Sequence, residues 1–500
     1  MTQMQKTIGI TGLGVALILL ISAIFFFPQK ESRIAADAGL QSAIASAVDR
    51  GPSKSWRGIY KARDYKPLWL MAGRPTPDAN AVMSVLSHAG EQGLPAARYS
   101  VNAAPSPGAN DRSLAAFDVS LTRAAIAYAH DMQMGMLKPS RLFDDVSLPA
   151  RQDDTLARFE QAAQDVNVSD YLKSLEPSGD YGALKSGLAR YRGLAAHPWD
   201  PVRAGDRRGL AARLAAEGYM DAGEHTPAEL NDALKTWQTA NGLASGGKLD
   251  DKSLAMLNVS PADRARQIAA NMERWRWLPR EFGARYIWVN VASASLVLIE
   301  DGKPALTSRV VVGAPDKPTP ILGATAVAIT VNPVWHLPKS IVEKEIAPKL
   351  DDDPDYLDKK DMERTPEGDI IQHAGPQNAL GTVKFEMPNG FDVYLHDTPS
   401  KRGFASNDRA LSHGCVRVEQ IAALVQHILQ LPDNGLSDMI ASGETSRQPI
   451  KPPVPVYVLY WTAVPGDAGK MGFRPDVYDR DARMIAALNK PVSANLASAR

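Results

Sequence analysis

The 500-residue sequence has a single cysteine, Cys415. One thiol excludes an intrachain disulfide framework and any zinc or iron–sulfur site built from several cysteines. No C-x-x-C or H-E-x-x-H spacing occurs, and no G-x-S-x-G elbow marks a serine nucleophile. Neither sign of charge is in excess, with 56 Lys+Arg against 56 Asp+Glu. No overall basic field therefore calls for nucleic acid, and no acidic excess for a solvating tail. Long apolar runs are also scarce, with one near the N-terminus. What is present is an ordinary globular balance, 44% hydrophobic and 22% charged. At about 150 residues per domain the length suggests three domains.

The apolar run covers residues 8–27 without a charge. Twenty such residues at about 1.5 Å each match a hydrocarbon core of about 30 Å. A cleavable signal peptide is the alternative, but its apolar part is usually about 7–15 residues. The nearest A-x-A site, Ala36-Asp37-Ala38, lies beyond Lys30, Glu31 and Arg33. An uncleaved single-pass anchor is therefore expected at 8–27.

Residues 40–200 read as a helical scaffold. Leu114, Phe117, Leu121, Ala125, Tyr128 and Met132 recur at helical spacing, and Leu184, Leu188 and Tyr191 mark another helix. Residues 205–258 read as three short helices. The second opens on the capping box Thr226-Pro227-Ala228-Glu229, and Leu230, Leu234 and Trp237 follow on one face. A further capped helix starts at Ser260-Pro261 and carries Ile268, Met272 and Trp275. Trp275 and Trp277 fit packing against the next domain better than a sugar platform. From Tyr286 the period changes to that of strands, with a hairpin signal at Asp301-Gly302. Residues 283–465 are thus expected to be a β-rich domain with a helix at 419–431. A charged stretch at about 336–377 interrupts it as a flap. Residues 466–500 read as a tail. The fold class is multidomain α+β.

Chemistry concentrates in residues 393–420. His396 ends an alternating segment, and Cys415 follows nineteen residues later inside Ser412-His413-Gly414-Cys415-Val416-Arg417. A thiol must become a thiolate to attack, and an imidazole can take its proton. Gly414 removes a side chain beside the sulfur, so that the amides of Gly414 and Cys415 could hold an oxyanion. Arg417 could steer a carboxylate. The same residues admit blander readings: a buried small hydrophobe for Cys415, a core residue for His413, or a metal site from His396, His413 and Cys415.

The segment resembles the L,D-transpeptidase family, whose motif is a histidine, some fifteen residues, then Ser/Thr-His-Gly-Cys. Residues 271–279, 331–341, 375–389 and 394–399 are similar to the large membrane-anchored Gram-negative members with YkuD-type catalytic domains. The resemblance implies a β-sandwich-like catalytic domain, with the 205–258 bundle as a peptidoglycan-binding-like domain. It implies Cys415 as nucleophile, His396 as general base and the Asp397 carbonyl as its orienting group. The amides of His413, Gly414 and Cys415 become the oxyanion hole, and Tyr394, Ser412 and Arg417 shape the donor pocket. No metal or other cofactor is required. The implied reaction is 3→3 cross-linking of peptidoglycan stem peptides, donor and acceptor, through a thioester with release of D-alanine. Alternatives are an L,D-carboxypeptidase or amidase, and a non-catalytic wall-binding scaffold. The implied location is the inner membrane, with the catalytic domain in the periplasm; no nucleic-acid partner is expected, and no particular cell-wall synthase is indicated.

Overall fold

The computed structural model describes residues 38–50, 56–197 and 199–490. The expected anchor at 8–27 lies outside them. Among the described residues no helix is long and apolar enough to cross a membrane.

The N-terminal region is helical. Its longest helix, α1 (Asp111–Met134), starts where the Asn110 side chain accepts the Ser113 amide and ends at Gly135, whose φ is 90°. Phe117, Leu121, Ala125, Tyr128 and Met132 form its buried stripe. Helix α2 (Tyr181–Ala195) buries Leu184, Leu188 and Tyr191. Next come α3 (Arg207–Ala216), α4 (Pro227–Ala240) and α5 (Asp251–Leu257), which share a core of Leu210, Leu214, Leu234, Trp237 and Leu257. The Thr226–Glu229 capping box is formed in both directions. Gln238 is buried too: it accepts from the Gly247 amide and donates to Lys248 O and Ser253 Oγ.

Helix α6 (Pro261–Arg276) is buried along most of its length, because it runs between the scaffold, the bundle and the sheet. Trp275 stacks on Trp461 at 4.9 Å and meets Trp288 edge-on at 5.8 Å. The Trp277 indole N–H donates to Leu137 O. Both tryptophans are interdomain packing.

The C-terminal half is built on strands β1 (Arg285–Asn290), β2 (Ser295–Glu300), β3 (Lys303–Gly313) and β4 (Ile321–Val331). An insertion, residues 332–382, follows. It holds the small sheet β5 (Trp335–His336), β6 (Met362–Arg364) and β7 (Ile370–Gln372), with helical turns over 339–352. Leu337, Ile346, Met362 and Ile370 give this lid its own apolar core. The main sheet resumes with β8 (Val383–Glu386), β9 (Leu395–His396), β10 (Ala410–Ser412) and β11 (Val416–Val418). Helix α7 (Ile421–Leu429) and the long strand β12 (Ser446–Leu459) complete it.

The half is β-rich as expected, but its sheet is not two separate layers. The order β8-β9-β11-β3-β2-β1-β12-β4 returns to its start, because β4 pairs with β8, Val331 opposite Val383. A closed sheet leaves no free edge along that ring. Val146–Ser147 of the scaffold pairs in parallel with Ile321–Leu322.

The expected tail is not a tail over its described part. Strands β13 (Ala463–Pro465) and β14 (Met471–Phe473) form a hairpin, and α8 (Arg480–Leu488) packs on α6. Met484 is fully buried, and Asp481 forms an ion pair with Arg274 at 2.6 Å. Long-range ion pairs of this kind leave no local sequence period. The hairpin also docks the bundle: the Phe473 amide donates to Asn241 Oδ1 at 2.8 Å, and Tyr219 OH donates to Met471 O.

Candidate active site

Alternation along β8, β9 and β11 sorts the residues into two faces. Val383, Phe385, Leu395, Val416 and Val418 point inward and are fully buried. The opposite face carries Lys384, Tyr394, His396, Cys415 and Arg417, all lining one cavity of about 1070 Å³ beneath the lid. Strands β9 and β11 are parallel, with Leu395 beside Val416 and His396 beside Arg417. One step back along the same ladder, the Val416 amide donates to Tyr394 O, so Tyr394 stands next to Cys415. The register thus makes a square of Tyr394, Cys415, His396 and Arg417. The Tyr394 and His396 rings meet edge-on at 5.5 Å.

The loop before the cysteine is fixed by its own hydrogen bonds. Ser412 Oγ donates to Cys415 O at 2.6 Å and accepts from the Gly414 amide at 3.2 Å. Gly414 has a φ of 109°, which disfavours any side chain, and the Pro318 carbonyl lies 3.5 Å from where a Cβ would sit. Thr319 braces the loop from behind: its Oγ1 donates to Gly414 O and accepts from the Gly313 amide, both at 2.8 Å. Tyr478, from the supposed tail, donates to Gly313 O at 2.6 Å and accepts from the Thr319 amide. Sequence reasoning missed both braces, since neither stands in the motif. The Gly414 amide, expected in an oxyanion hole, is already engaged by Ser412.

Cys415 is partly exposed to the cavity, and its Sγ lies 3.8 Å from Asp392 O. Burial raises the thiol's pKa; Tyr394, Lys384 and Arg417 counter it in part. His396 is buried, and that burial, with Arg417 beside it, pushes the imidazole down to about 3. Both groups are therefore neutral near pH 7. No hydrogen bond joins them among the described residues.

The Asp397 carbonyl is the expected orienting group of His396. The backbone of Asp397 favours the charged imidazole, yet His396 Nδ1 meets no partner at hydrogen-bond geometry. The Asp397 carboxylate turns away, to Lys401 and to the amide and hydroxyl of Thr382, each at 2.9 Å. Burial opposes its charge, but these donors hold it below the usual carboxylate range.

His413 points to the lid, where its Nε2 meets Glu345, which also pairs with Lys317 at 3.0 Å. Burial works against ionisation of Glu345, and Lys317 and His413 outweigh it. Neither Glu345 nor Lys384 was legible as a site residue. The lid contact is non-local, and Lys384 reaches the site only through pairing of β8 with β9, Lys384 opposite His396. No group of three or more potential metal ligands occurs among the described residues.

Comparison with known proteins agrees with this architecture. Residues 284–458 match the YkuD family, the L,D-transpeptidase catalytic domain, and residues 54–188 match the scaffold domain. A Haemophilus influenzae protein named as a candidate L,D-transpeptidase is 30% identical over 246 residues, 45% of this chain and 50% of its own. The chain thus spans about half the length of that curated relative. Among solved structures, an L,D-transpeptidase from Mycobacterium smegmatis is 17% identical, covering 35% of this chain and 58% of its own, with a TM-score of 0.21. One from Stackebrandtia nassauensis is 14% identical, covering 52% and 94%, also with a TM-score of 0.21. Residues 284–458 therefore belong to the YkuD family of L,D-transpeptidase catalytic domains, with a scaffold domain ahead of them.

Proposed function

We propose that the protein is a peptidoglycan L,D-transpeptidase that forms 3→3 cross-links through a thioester on Cys415. The observation that supports this best is the square of Tyr394, Cys415, His396 and Arg417 lining one covered cavity. The neutral pair sets the order of events. As Sγ attacks the carbonyl of the donor's third residue, the thiol proton passes to His396. His396 returns it to the departing D-alanine amine, leaving a thioester and a neutral imidazole. An amine from a second stem then attacks, loses its proton to His396 and releases the thiol. The bond energy is carried by the thioester, so no metal or nucleotide takes part. With Gly414 engaged, the amides of His413 and Cys415 serve the oxyanion. Arg417 and Tyr394 hold the donor, and Ser412 keeps the loop in shape.

The anchor at 8–27 would hold the enzyme on the inner membrane with this site in the periplasm, where the wall polymer lies. Defined tetrapeptide fragments, incubated with the protein and followed by mass spectrometry, test the function. Cross-linked dimers with loss of D-alanine are expected, and none from Cys415→Ala. Tripeptides alone would instead indicate hydrolysis. Dimers from Cys415→Ala would refute the assignment.

A further inference from the structure

On the strands that floor the cavity, two cations stand without an ion-paired carboxylate. Arg417 makes no ion pair among the described residues, and its buried Nε has no hydrogen-bond partner. Lys384 makes none either. Its Nζ is held over the Tyr394 ring, 4.2 Å from the centroid. The nearby carboxylate, Glu386, is taken by Arg447 at 2.8 Å and by Thr330 Oγ1 at 2.6 Å. Arg417 and Lys384 flank His396 across the strands β11, β9 and β8. Their backbones are two strand spacings apart, about 10 Å. A half-buried lysine with no internal partner, fixed by a ring inside a cavity, is arranged for an anion from outside.

The direction of the chemistry says which anion. The sulfur stands at the start of β11 and the imidazole on β9, so the scissile bond runs from β11 toward β9. The leaving amine must lie at His396 to receive its proton. Its own carboxylate is two bonds further, and the next strand in that direction is β8, which carries Lys384. We propose that Lys384 is a specificity-determining residue that binds the carboxylate of the leaving amino acid, so that the site selects donors ending in a free acid. This rests on the acyl-transfer reading above. In that step the C–S bond forms, the C–N bond to the leaving residue breaks, and the thiol proton ends on the leaving amine.

The test compares a tetrapeptide stem with a free C-terminal carboxylate and the same stem as its C-terminal amide. Release of the terminal residue is measured for wild type, Lys384→Met and Lys384→Arg. Methionine keeps the aliphatic body over Tyr394 without the charge. Wild type should prefer the acid. Lys384→Met should lose about 10–100-fold in kcat/KM on the acid, mainly through KM, and much less on the amide, so that the preference for the acid collapses. Lys384→Arg should restore most of the preference. An equal loss on both donors would overturn the proposal, since Lys384 would then act on the Cys415 thiolate. No loss on either would overturn it as well. A wild-type protein that processes neither donor would refute the acyl-transfer reading itself.

Discussion

Cys415 is the only cysteine in the chain, so any thiol reagent reports on this residue alone. Its protonation can therefore be titrated without a variant. Burial raises the thiol, and His396 titrates near 3, so the imidazole cannot supply a positive charge at neutral pH. That arrangement favours a neutral thiol and imidazole over a preformed thiolate–imidazolium pair. If the thiol titrates at or above the ordinary value of about 8.5, at most about 3% is thiolate at pH 7. The rate of iodoacetamide alkylation should then rise about tenfold per pH unit from pH 5 to pH 8. An ion pair would behave differently, giving a plateau across the same range. The assay is intact-mass analysis of the full chain, quenched at intervals across the pH series. His396→Ala should alkylate with nearly the same profile, because the neutral ring adds little to the resting thiol. A flat rate between pH 5 and pH 7 would refute the neutral pair and the proton transfer built on it.

Three further outcomes are expected. Thr319→Val keeps the shape but leaves the Gly313 amide and the Gly414 carbonyl without their partner; a loss of about 2–4 kcal/mol is expected, seen as lower thermal stability together with lower turnover. Because His396 is held neutral down to about pH 3, the unfolded chain binds a proton below 6.5 that the folded chain refuses. That contribution is complete above pH 6.5 and declines as pH falls toward 3, by about 2 kcal/mol between pH 6.5 and 5. Urea unfolding at several pH values measures it, and His396→Gln should flatten the slope. Glu345→Gln removes the charge that ties the lid to His413 and Lys317 while keeping the size. Faster hydrogen exchange across residues 332–382 is expected, and unchanged exchange would show that the lid's own core, not this contact, holds it down.

The helices were legible where their ends are written locally. Thr226 with Glu229, and Ser260 before Pro261, are side chains that satisfy orphan amides, and both caps form as read. The motif was legible as well, because Gly414 and Cys415 are neighbours in the chain as in space. What could not be read depends on pairing across distance. The closure of the sheet needs Val331 to meet Val383, and Lys384 becomes a cavity residue only once β8 lies beside β9. Thr319 and Tyr478 carry no motif; their role is defined by the Gly313 and Gly414 backbone they serve. Helix α8 was missed for a related reason. Its apolar face is short, Met484 and Leu488 against Phe143, Ala270 and Trp277, and the ion pairs of Arg480 with Asp145 and of Asp481 with Arg274 flank it.

The bond from Tyr478 to Gly313 also bears on when the motif loop takes its shape during synthesis. Cys415 leaves the ribosome well before residue 478, yet the brace behind its loop is completed only by that tyrosine. A nascent chain that has reached residue 465 carries every motif residue, with Thr319 behind the loop but without Tyr478 behind Thr319. The shape of the loop is thereby tied to a segment synthesised after the whole motif.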